Sequence, residues 1–136
     1  MGLYLCVFRE DEELLGVDVG SYDDFERFRD AARARDRRMF RRYGALRVNM
    51  SPTTHWSPRE AARLAGELVH LREALRQAPA QPFPSGSWQA ARAAELGLAP
   101  TSLAECFFDF DGGPLFDRLL ELCRVAVEAR EPILFQ

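Results

Sequence analysis

Apolar and polar residues in the first twenty positions follow a pattern that favours β-strands. Leu3–Phe8 is a short apolar run rich in residues that prefer strands. The acidic residues Glu10–Glu13 interrupt this run, and Leu14–Val19 then alternates loosely between apolar and polar positions. Two strands joined by a short polar connection predict a β-hairpin at the start of the chain.

Helix-start signals recur at three serines further along the chain. The predicted helices cover residues 21–44, 57–77 and 87–96, and each begins at a serine that can act as the N-cap. The strongest signal is Ser57-Pro58-Arg59-Glu60, because it combines an N-cap, a proline at the first helical position and a capping box. The second helix is therefore the best-defined element of the chain.

The remaining apolar runs predict three more strands and a last helix. Residues 45–50 and 103–110 are strand candidates, and residues 133–135 form another at the end of the sequence. Apolar residues at helical spacing follow Asp111-Gly112-Gly113-Pro114, so the last helix is predicted to start there and to stop before Pro132.

The predicted order of elements is β-β-α-β-α-α-β-α-β, without an internal repeat. This order predicts a single α+β domain over residues 1–136, with a mixed β-sheet of about five short strands and three to four helices over one face. The proline-rich residues 78–86 are interpreted as a loop within the domain, because neither side resembles a complete domain by itself.

Composition limits the classes of function. Hydrophobic residues make up 47% of the chain and charged residues 29%, which is typical of a globular protein and excludes a disordered or collagen-like one. All 18 basic residues are arginine, so mechanisms that need a catalytic lysine are excluded. The 21 acidic residues give a net charge of −3, which argues against nucleic acid as a partner because neutralising phosphates needs a surplus of basic residues.

Neither a membrane segment nor a targeting segment is predicted. No stretch approaches the roughly 20 apolar residues of a membrane helix, and the start of the chain lacks the features of a signal peptide. Cys6, Cys106 and Cys123 each lie in an apolar run, where cysteine behaves as a small buried residue. We expect a reduced, cytoplasmic protein with no metal ion and no other cofactor.

Asp109 and Asp111 give the sequence its sharpest chemical motif. An apolar run that ends in Asp-x-Asp-Gly resembles the first motif of the haloacid dehalogenase phosphohydrolases, in which the first aspartate attacks phosphorus beside a magnesium ion. Only 21 residues follow Leu115, so the rest of such a catalytic domain has no room, and the lysine of that family is missing. The alternatives are that Asp109 ends a strand while Asp111 caps a helix, or that both contact a partner.

Three other features have a functional and a structural interpretation. His55 lies in a predicted loop without a nucleophile or an orienting carboxylate nearby, so a solvated residue is the simpler reading. The neighbouring Trp56 is either a core anchor or an interface hot spot. The arginine-rich stretch 33–42 either attracts phosphate or an acidic protein surface, or is a solvated helix end.

Several stretches together resemble a family of small predicted immunity proteins from bacterial polymorphic toxin systems. The resemblance spans nearly the whole chain and implies an α+β protein of the cytoplasm that binds and neutralises a toxin domain without catalysis. The loop at 49–55 departs from the family pattern, which is richer in acidic residues there, and the arginine-rich stretch 33–42 is particular to this chain. The matching stretches are Gly2–Phe8, Gly16–Phe25, Trp56-Ser57, Glu105–Asp109, Pro114–Cys123 and Pro132–Gln136.

The expected partner is therefore a cognate toxin domain, and the contacts are expected at acidic and loop residues because acidic patches steer encounters with basic toxins. Two alternatives remain at this point: a magnesium-dependent phosphate-handling enzyme that uses Asp109 and Asp111, and a self-associating structural or regulatory module. The oligomeric state stays open. The candidate partner-binding residues are Glu10, Asp11, Glu12, His55, Trp56, Asp109 and Asp111.

Overall fold

A four-stranded antiparallel sheet supports the fold; the computed structural model describes residues 2–136. The predicted hairpin is present as β1 (Gly2–Arg9) and β2 (Glu12–Ser21). The other edge of β1 pairs with β4 (Ile133–Phe135), and β4 in turn pairs with the two-residue strand β3 (His55–Trp56). The strand order is β2-β1-β4-β3, so β1 lies inside the sheet with a neighbour on each side.

Within residues 2–136, five helices, where three to four were predicted, and a short 3-10 turn complete the predicted single α+β domain. The predicted N-cap at Ser21 and the predicted capping box at Ser57 are formed, and Asp24 completes a capping box at Ser21 as well. Gly97 ends its helix in the left-handed conformation, with φ of 66°. The elements are α1 (Tyr22–Arg35), α2 (Arg37–Arg41), α3 (Pro58–Arg76), α4 (Trp88–Leu96), the 3-10 turn Leu103–Cys106 and α5 (Leu115–Ala129).

The core lies between one face of the sheet and the helices α1, α3 and α5. Phe28 of α1 contacts both Phe107 and Phe116, with ring centroids 5.1 and 5.3 Å apart. Trp56 of β3 packs edge-on against Phe135 of β4 at 4.7 Å. Tilted and edge-on pairs at these spacings are favourable, and burial of such large rings contributes most of the hydrophobic stabilisation. The three cysteines are buried and unpaired, as expected.

The predicted helix over 21–44 is interrupted at Asp36. The Asp36 carboxylate accepts hydrogen bonds from the backbone N–H groups of Arg38 and Met39, at 3.0 and 3.1 Å. An aspartate that caps the following residues starts a new helix, so α1 ends and the short helix α2 begins there.

Residues 45–50 form turns instead of the predicted strand. The backbone N–H groups of Ala45 and Leu46 donate to the buried carboxylate of Glu67 on α3, at 3.2 and 2.8 Å. The Ala45 carbonyl accepts a hydrogen bond from Trp56 Nε1 at 2.8 Å. Side chains thus satisfy backbone groups that a neighbouring strand would otherwise satisfy, and the strand beside β4 is His55–Trp56, from the predicted loop.

Residues 103–110 are also not a regular strand. Leu103–Cys106 forms the 3-10 turn, and Phe108 makes a single bridge to Pro114. The run is apolar because it is buried against helices, and burial alone does not distinguish a strand from other buried segments. Without strands at 45–50 and 103–110, the sheet has four strands and is antiparallel throughout, where a mixed sheet of about five was predicted.

Candidate functional site

The sheet has a second face, which we call the outer face, on the side away from the helices. The strand register places Tyr4 opposite Asp18, Cys6 opposite both Gly16 and Leu134, and Leu134 opposite His55. Residues directly opposite each other point to the same side of a sheet. The outer face is defined here by Tyr4, Cys6, Phe8, Glu13, Asp18, His55 and Leu134.

The central strand β1 is apolar on both sides. Leu3, Leu5 and Val7 point into the core and are at most 1% exposed. Tyr4 and Phe8 point the other way and remain half-buried. A strand that is apolar on both sides is typical of a sheet covered on both faces, but here Tyr4, Phe8 and Leu134 are not among the described side chains that pack against the helical core.

Tyr4 is fixed over Gly16 on the outer face. A Cβ atom at Gly16 would overlap the Tyr4 hydroxyl, so the close approach of the ring requires glycine there. Burial, and then the hydrogen bond and charge of Glu13, raise the pKa of Tyr4 to about 12. The same two causes, burial followed by the Glu13 charge, raise the pKa of the Cys6 thiol to about 11. Both groups are therefore neutral at physiological pH, and the Cys6 thiol is unreactive.

The hairpin between β1 and β2 carries an acidic rim, which we define as Glu10–Glu13. All four side chains are exposed, and within the described residues none lies within 4 Å of an arginine nitrogen. Glu10 has φ of 56°, the left-handed region in which glycine is relaxed and other residues are strained. Glu10 is the first residue of the two-residue turn between β1 and β2, and such hairpin turns use a positive φ.

A half-buried apolar face beside unpaired carboxylates is typical of a surface that binds a protein. The family model for Immunity protein 70 matches residues 3–135. The chain belongs to this immunity-protein family. Membership confirms the resemblance inferred from the sequence, and it implies that this immunity protein neutralises a toxin by binding to it. Proteins of this kind are typically non-catalytic, in agreement with the prediction that the chain is not an enzyme.

Other comparisons give no closer guide to the partner. No curated protein and no solved structure matches this immunity protein. Among the helices of residues 2–136, none combines the length and the apolar character that crossing a bilayer requires.

Of the predicted contact residues on β3, one is exposed and one is buried. His55 is exposed on the outer face, at the edge of the sheet. Trp56 is fully buried among Phe25 and Phe135, with its indole N–H bonded to the Ala45 carbonyl. Of its two predicted roles, the structure supports the core anchor. The Trp56 side chain packs in the core on the opposite side of β3 from His55 and is not exposed at the surface.

Asp109 is a structural residue of the turn before α5. It is 1% exposed, and its carboxylate accepts hydrogen bonds from Asp111 N at 3.0 Å, Gly113 N at 2.8 Å and Arg118 Nε at 2.9 Å. These donors occupy both oxygens, so Asp109 is not free to attack a phosphate. The part of the chain that the structure describes contains no group of three metal-ligating side chains.

Asp111 is exposed at the tip of the same turn, beside the free edge of β2. The neighbouring Phe110 donates its N–H to the Asp18 carbonyl at 2.8 Å, which attaches the turn to the sheet. The interpretation that Asp111 caps α5 is wrong, because no side chain caps that helix. The hairpin, the turn and His55 therefore lie at three different borders of the sheet.

Sequence reasoning missed the apolar half of the surface, which Tyr4, Phe8 and Leu134 form. The signal was available in β1, where every position from Leu3 to Phe8 is apolar or aromatic. Such a strand predicts burial on both faces, and only the three-dimensional structure shows that one face is left open.

Proposed function

We propose that this immunity protein blocks its cognate toxin by binding a basic surface of the toxin domain with the outer face and the acidic rim. The observation that carries this proposal is the double-sided apolar character of β1, of which the described helices cover one side only. A partner that packs on Tyr4, Phe8 and Leu134 would complete the burial that the sequence of β1 favours.

The acidic rim supports a basic partner. Glu10, Asp11 and Glu12 are exposed and have no internal ion pair to give up, so pairing with arginine or lysine of a toxin costs no existing contact. Charges at the border of an interface mainly accelerate association, because they steer the two proteins before contact.

The other predicted residues divide between direct and supporting roles. His55 and Asp111 are exposed and are proposed to contact the toxin at the two lateral borders of the sheet. Trp56 and Asp109 are buried and are proposed to position them, Trp56 beneath β3 and Asp109 through its hydrogen bonds to the turn. Phe110, which is 40% exposed beside β2, adds an aromatic side chain at the same border.

The proposed partner is a protein, and the proposed compartment is the cytoplasm. The net charge of −3 and the acidic rim disfavour nucleic acids and anionic membrane surfaces. Buried, unpaired cysteines suit a reducing compartment.

Co-expression tests the proposed function. The C-terminal domain of a large secreted protein encoded beside this gene is produced in a test bacterium, with and without this chain, and growth is followed. We expect toxicity that this chain relieves, together with a complex that co-purifies. Unrelieved toxicity with no complex would reject that pairing.

A charge variant then tests the acidic rim in the complex. Replacing Glu10, Asp11 and Glu12 by serine is expected to slow association about tenfold at low salt while changing dissociation little. A matched control makes the same charge change at exposed helix residues and is expected to alter association by less than about twofold. The control replaces Glu73, Glu95 and Glu128, whose side chains are 63–65% exposed.

Equal association rates for the rim variant and the control would show that the rim is not part of the interface.

Tyr4→Ala tests the apolar half of the surface separately and is expected to accelerate dissociation, because a rigid aromatic contact is lost. An unchanged dissociation rate in that variant would exclude the outer face as the toxin contact.

A further inference from the structure

A groove of about 690 Å³ lies between α2 and α3, on the helical side of the molecule. Arginines line it from both helices, together with the partly buried Met39. Gly66 forms part of its wall in the middle of α3, where a Cβ atom would meet no other atom within 4 Å. The groove is thus open at this point of its wall.

The arginines beside the groove are not neutralised. Arg37, Arg38, Arg41, Arg42 and Arg47 lie within eleven residues, and within the described chain no carboxylate oxygen lies within 4 Å of their guanidinium nitrogens. Most of the other described arginines have a carboxylate oxygen within 4 Å of a guanidinium nitrogen. A protein of net charge −3 therefore concentrates unpaired positive charge at α2.

The two acidic residues of the groove are already engaged by backbone donors. The Asp36 carboxylate caps α2, and the Glu67 carboxylate accepts from Ala45 N, Leu46 N and Arg63 Nε. Glu67 pairs with Arg63 at the wall of the groove, at 3.0 Å, whereas neither carboxylate lies within 4 Å of the guanidinium nitrogens of Arg38 or Arg42 in the described chain.

A tyrosine and a histidine complete the lining. The Tyr43 hydroxyl lies 2.6 Å from Nδ1 of the exposed His70, which leaves Nε2 of that ring available to another partner. The groove offers arginine forks, an imidazole nitrogen and apolar contacts side by side, which matches an acidic polypeptide with apolar residues among its carboxylates.

We propose that this groove binds an acidic segment of the same toxin domain, as a second contact of opposite charge to the acidic rim. This inference rests on the proposed function. A polypeptide is favoured over a nucleic acid because the partly buried Met39 places apolar surface among the arginines of the groove.

The first half of α3 connects the β3 edge to the groove. Helix α3 begins two residues after Trp56, and its rise of about 1.5 Å per residue places Arg63 to His70 roughly 7–18 Å along the helix from that edge. This distance along α3 is small compared with an ordinary protein–protein interface, to which each partner contributes about 20–30 residues.

The test reverses charges at and directly after α2. Arg38→Glu with Arg42→Glu alters the groove lining, whereas Arg37→Glu with Arg41→Glu makes the same charge change at neighbouring residues outside the lining. The toxin complex with each double variant is compared by its dissociation constant. We expect the groove pair to weaken binding at least about tenfold and the control pair no more than about threefold.

A steric variant keeps the net charge unchanged. Gly66→Trp fills the open wall of the groove, and Gly66→Ala is its control, since a methyl group there meets nothing. We expect the tryptophan variant to weaken toxin binding at least about tenfold and the alanine variant to bind like the wild type. Circular dichroism of each free protein establishes that it is folded.

Four results overturn the inference. The first is that the two arginine pairs weaken toxin binding equally, and the second is that folded Gly66→Trp binds the toxin like the wild type. The third is that folded Gly66→Ala loses as much toxin affinity as Gly66→Trp. The fourth is that a single-stranded oligothymidylate binds the free protein and that this binding depends on Arg38 and Arg42. Each leaves the proposed function standing if the complex forms through the outer face. Absence of any toxin complex with the wild-type chain removes the proposed function itself.

Discussion

Glu67→Gln is predicted to destabilise this protein strongly, although it replaces only one carboxylate oxygen by an amide nitrogen. Glu67 is 7% exposed, and its two oxygens serve three donors. Oε1 accepts from Leu46 N at 2.8 Å, and Oε2 accepts from Ala45 N at 3.2 Å and from Arg63 Nε at 3.0 Å. This carboxylate holds the turn over 45–50 against α3.

The magnitude follows from which donors lose their acceptor. Glutamine has one acceptor oxygen, so Leu46 N–H keeps its partner while the amide NH₂ group faces Ala45 N–H. A buried donor without an acceptor costs about 1–3 kcal/mol. Arg63 is 61% exposed and regains water, so the lost ion pair adds less than about 1 kcal/mol. The free energy of unfolding should fall by about 2–3 kcal/mol, which lowers Tm by about 10 °C.

Urea unfolding followed by far-UV circular dichroism measures this loss, with the m-value expected to stay unchanged. Glu73→Gln is the matched control on the same helix, since Glu73 is 65% exposed and pairs only with the exposed Arg76. The control should change the free energy of unfolding by at most about 0.5 kcal/mol. If Glu67→Gln and Glu73→Gln unfold at the same urea concentration, the structural role assigned to Glu67 is refuted.

Three further changes test the sheet, the middle of α3 and the packing of α4. Gly16→Ala should destabilise the protein by about 1–3 kcal/mol, because the added Cβ displaces Tyr4. Gly66→Ala should stabilise it by about 0.5–1 kcal/mol, because alanine is favoured over glycine inside a helix and its Cβ meets no other atom. Urea midpoints of the two variants that shift in the same direction would contradict these predictions. Burial alone would raise the pKa of Asp24, but hydrogen bonds from Trp88, Ser21 and Gln89 hold it below the ordinary 3.8. The stabilisation from Asp24 is thus present above pH 3.8 and is lost as the pH falls through the lower pKa of the folded protein. The free energy of unfolding of Asp24→Asn should therefore decrease less with falling pH than that of the wild type. Parallel pH profiles of the free energy of unfolding would exclude the effect.

The helix starts were predictable because their signals are local. A serine N-cap and the acidic residue three positions later interact across a single turn, so the capping boxes at Ser21 and Ser57 can be recognised without knowledge of the rest of the fold. The break at Asp36 was equally local but was missed, because arginines at helical spacing on both sides of it favour one continuous helix.

The errors arose where a distant side chain determines the backbone. Residues 45–50 are apolar enough for a strand, yet Glu67 lies about twenty positions away and fixes them as turns. Its place among the leucines of α3 was the available clue, since Glu67 is three residues after Leu64 and four before Leu71, on the buried side of the helix. A carboxylate on an apolar face needs buried donors, but the sequence does not show which ones.

The candidate site was predictable in its charge but not in its shape. Exposed carboxylates at a tight hairpin follow from composition and turn chemistry, so the acidic rim was predicted. The burial of Trp56 and Asp109 depends on contacts with Phe135 and Arg118, which lie 79 and 9 residues away. Polar and aromatic residues near loops are therefore weak evidence for surface contacts unless their own partners are known.

The two proposed surfaces share a property that makes them testable. The rim carboxylates and the α2 arginines have no ion pairs inside the described chain, and exposed unpaired charges contribute little to folding stability. Removing them should therefore change toxin binding without unfolding the protein. A toxin that engages both surfaces needs a basic region for the rim and an acidic region for the groove, so reversing either charge disfavours that docked orientation. Because the two surfaces carry opposite charge, a net charge of −3 understates the electrostatic field that such a toxin meets.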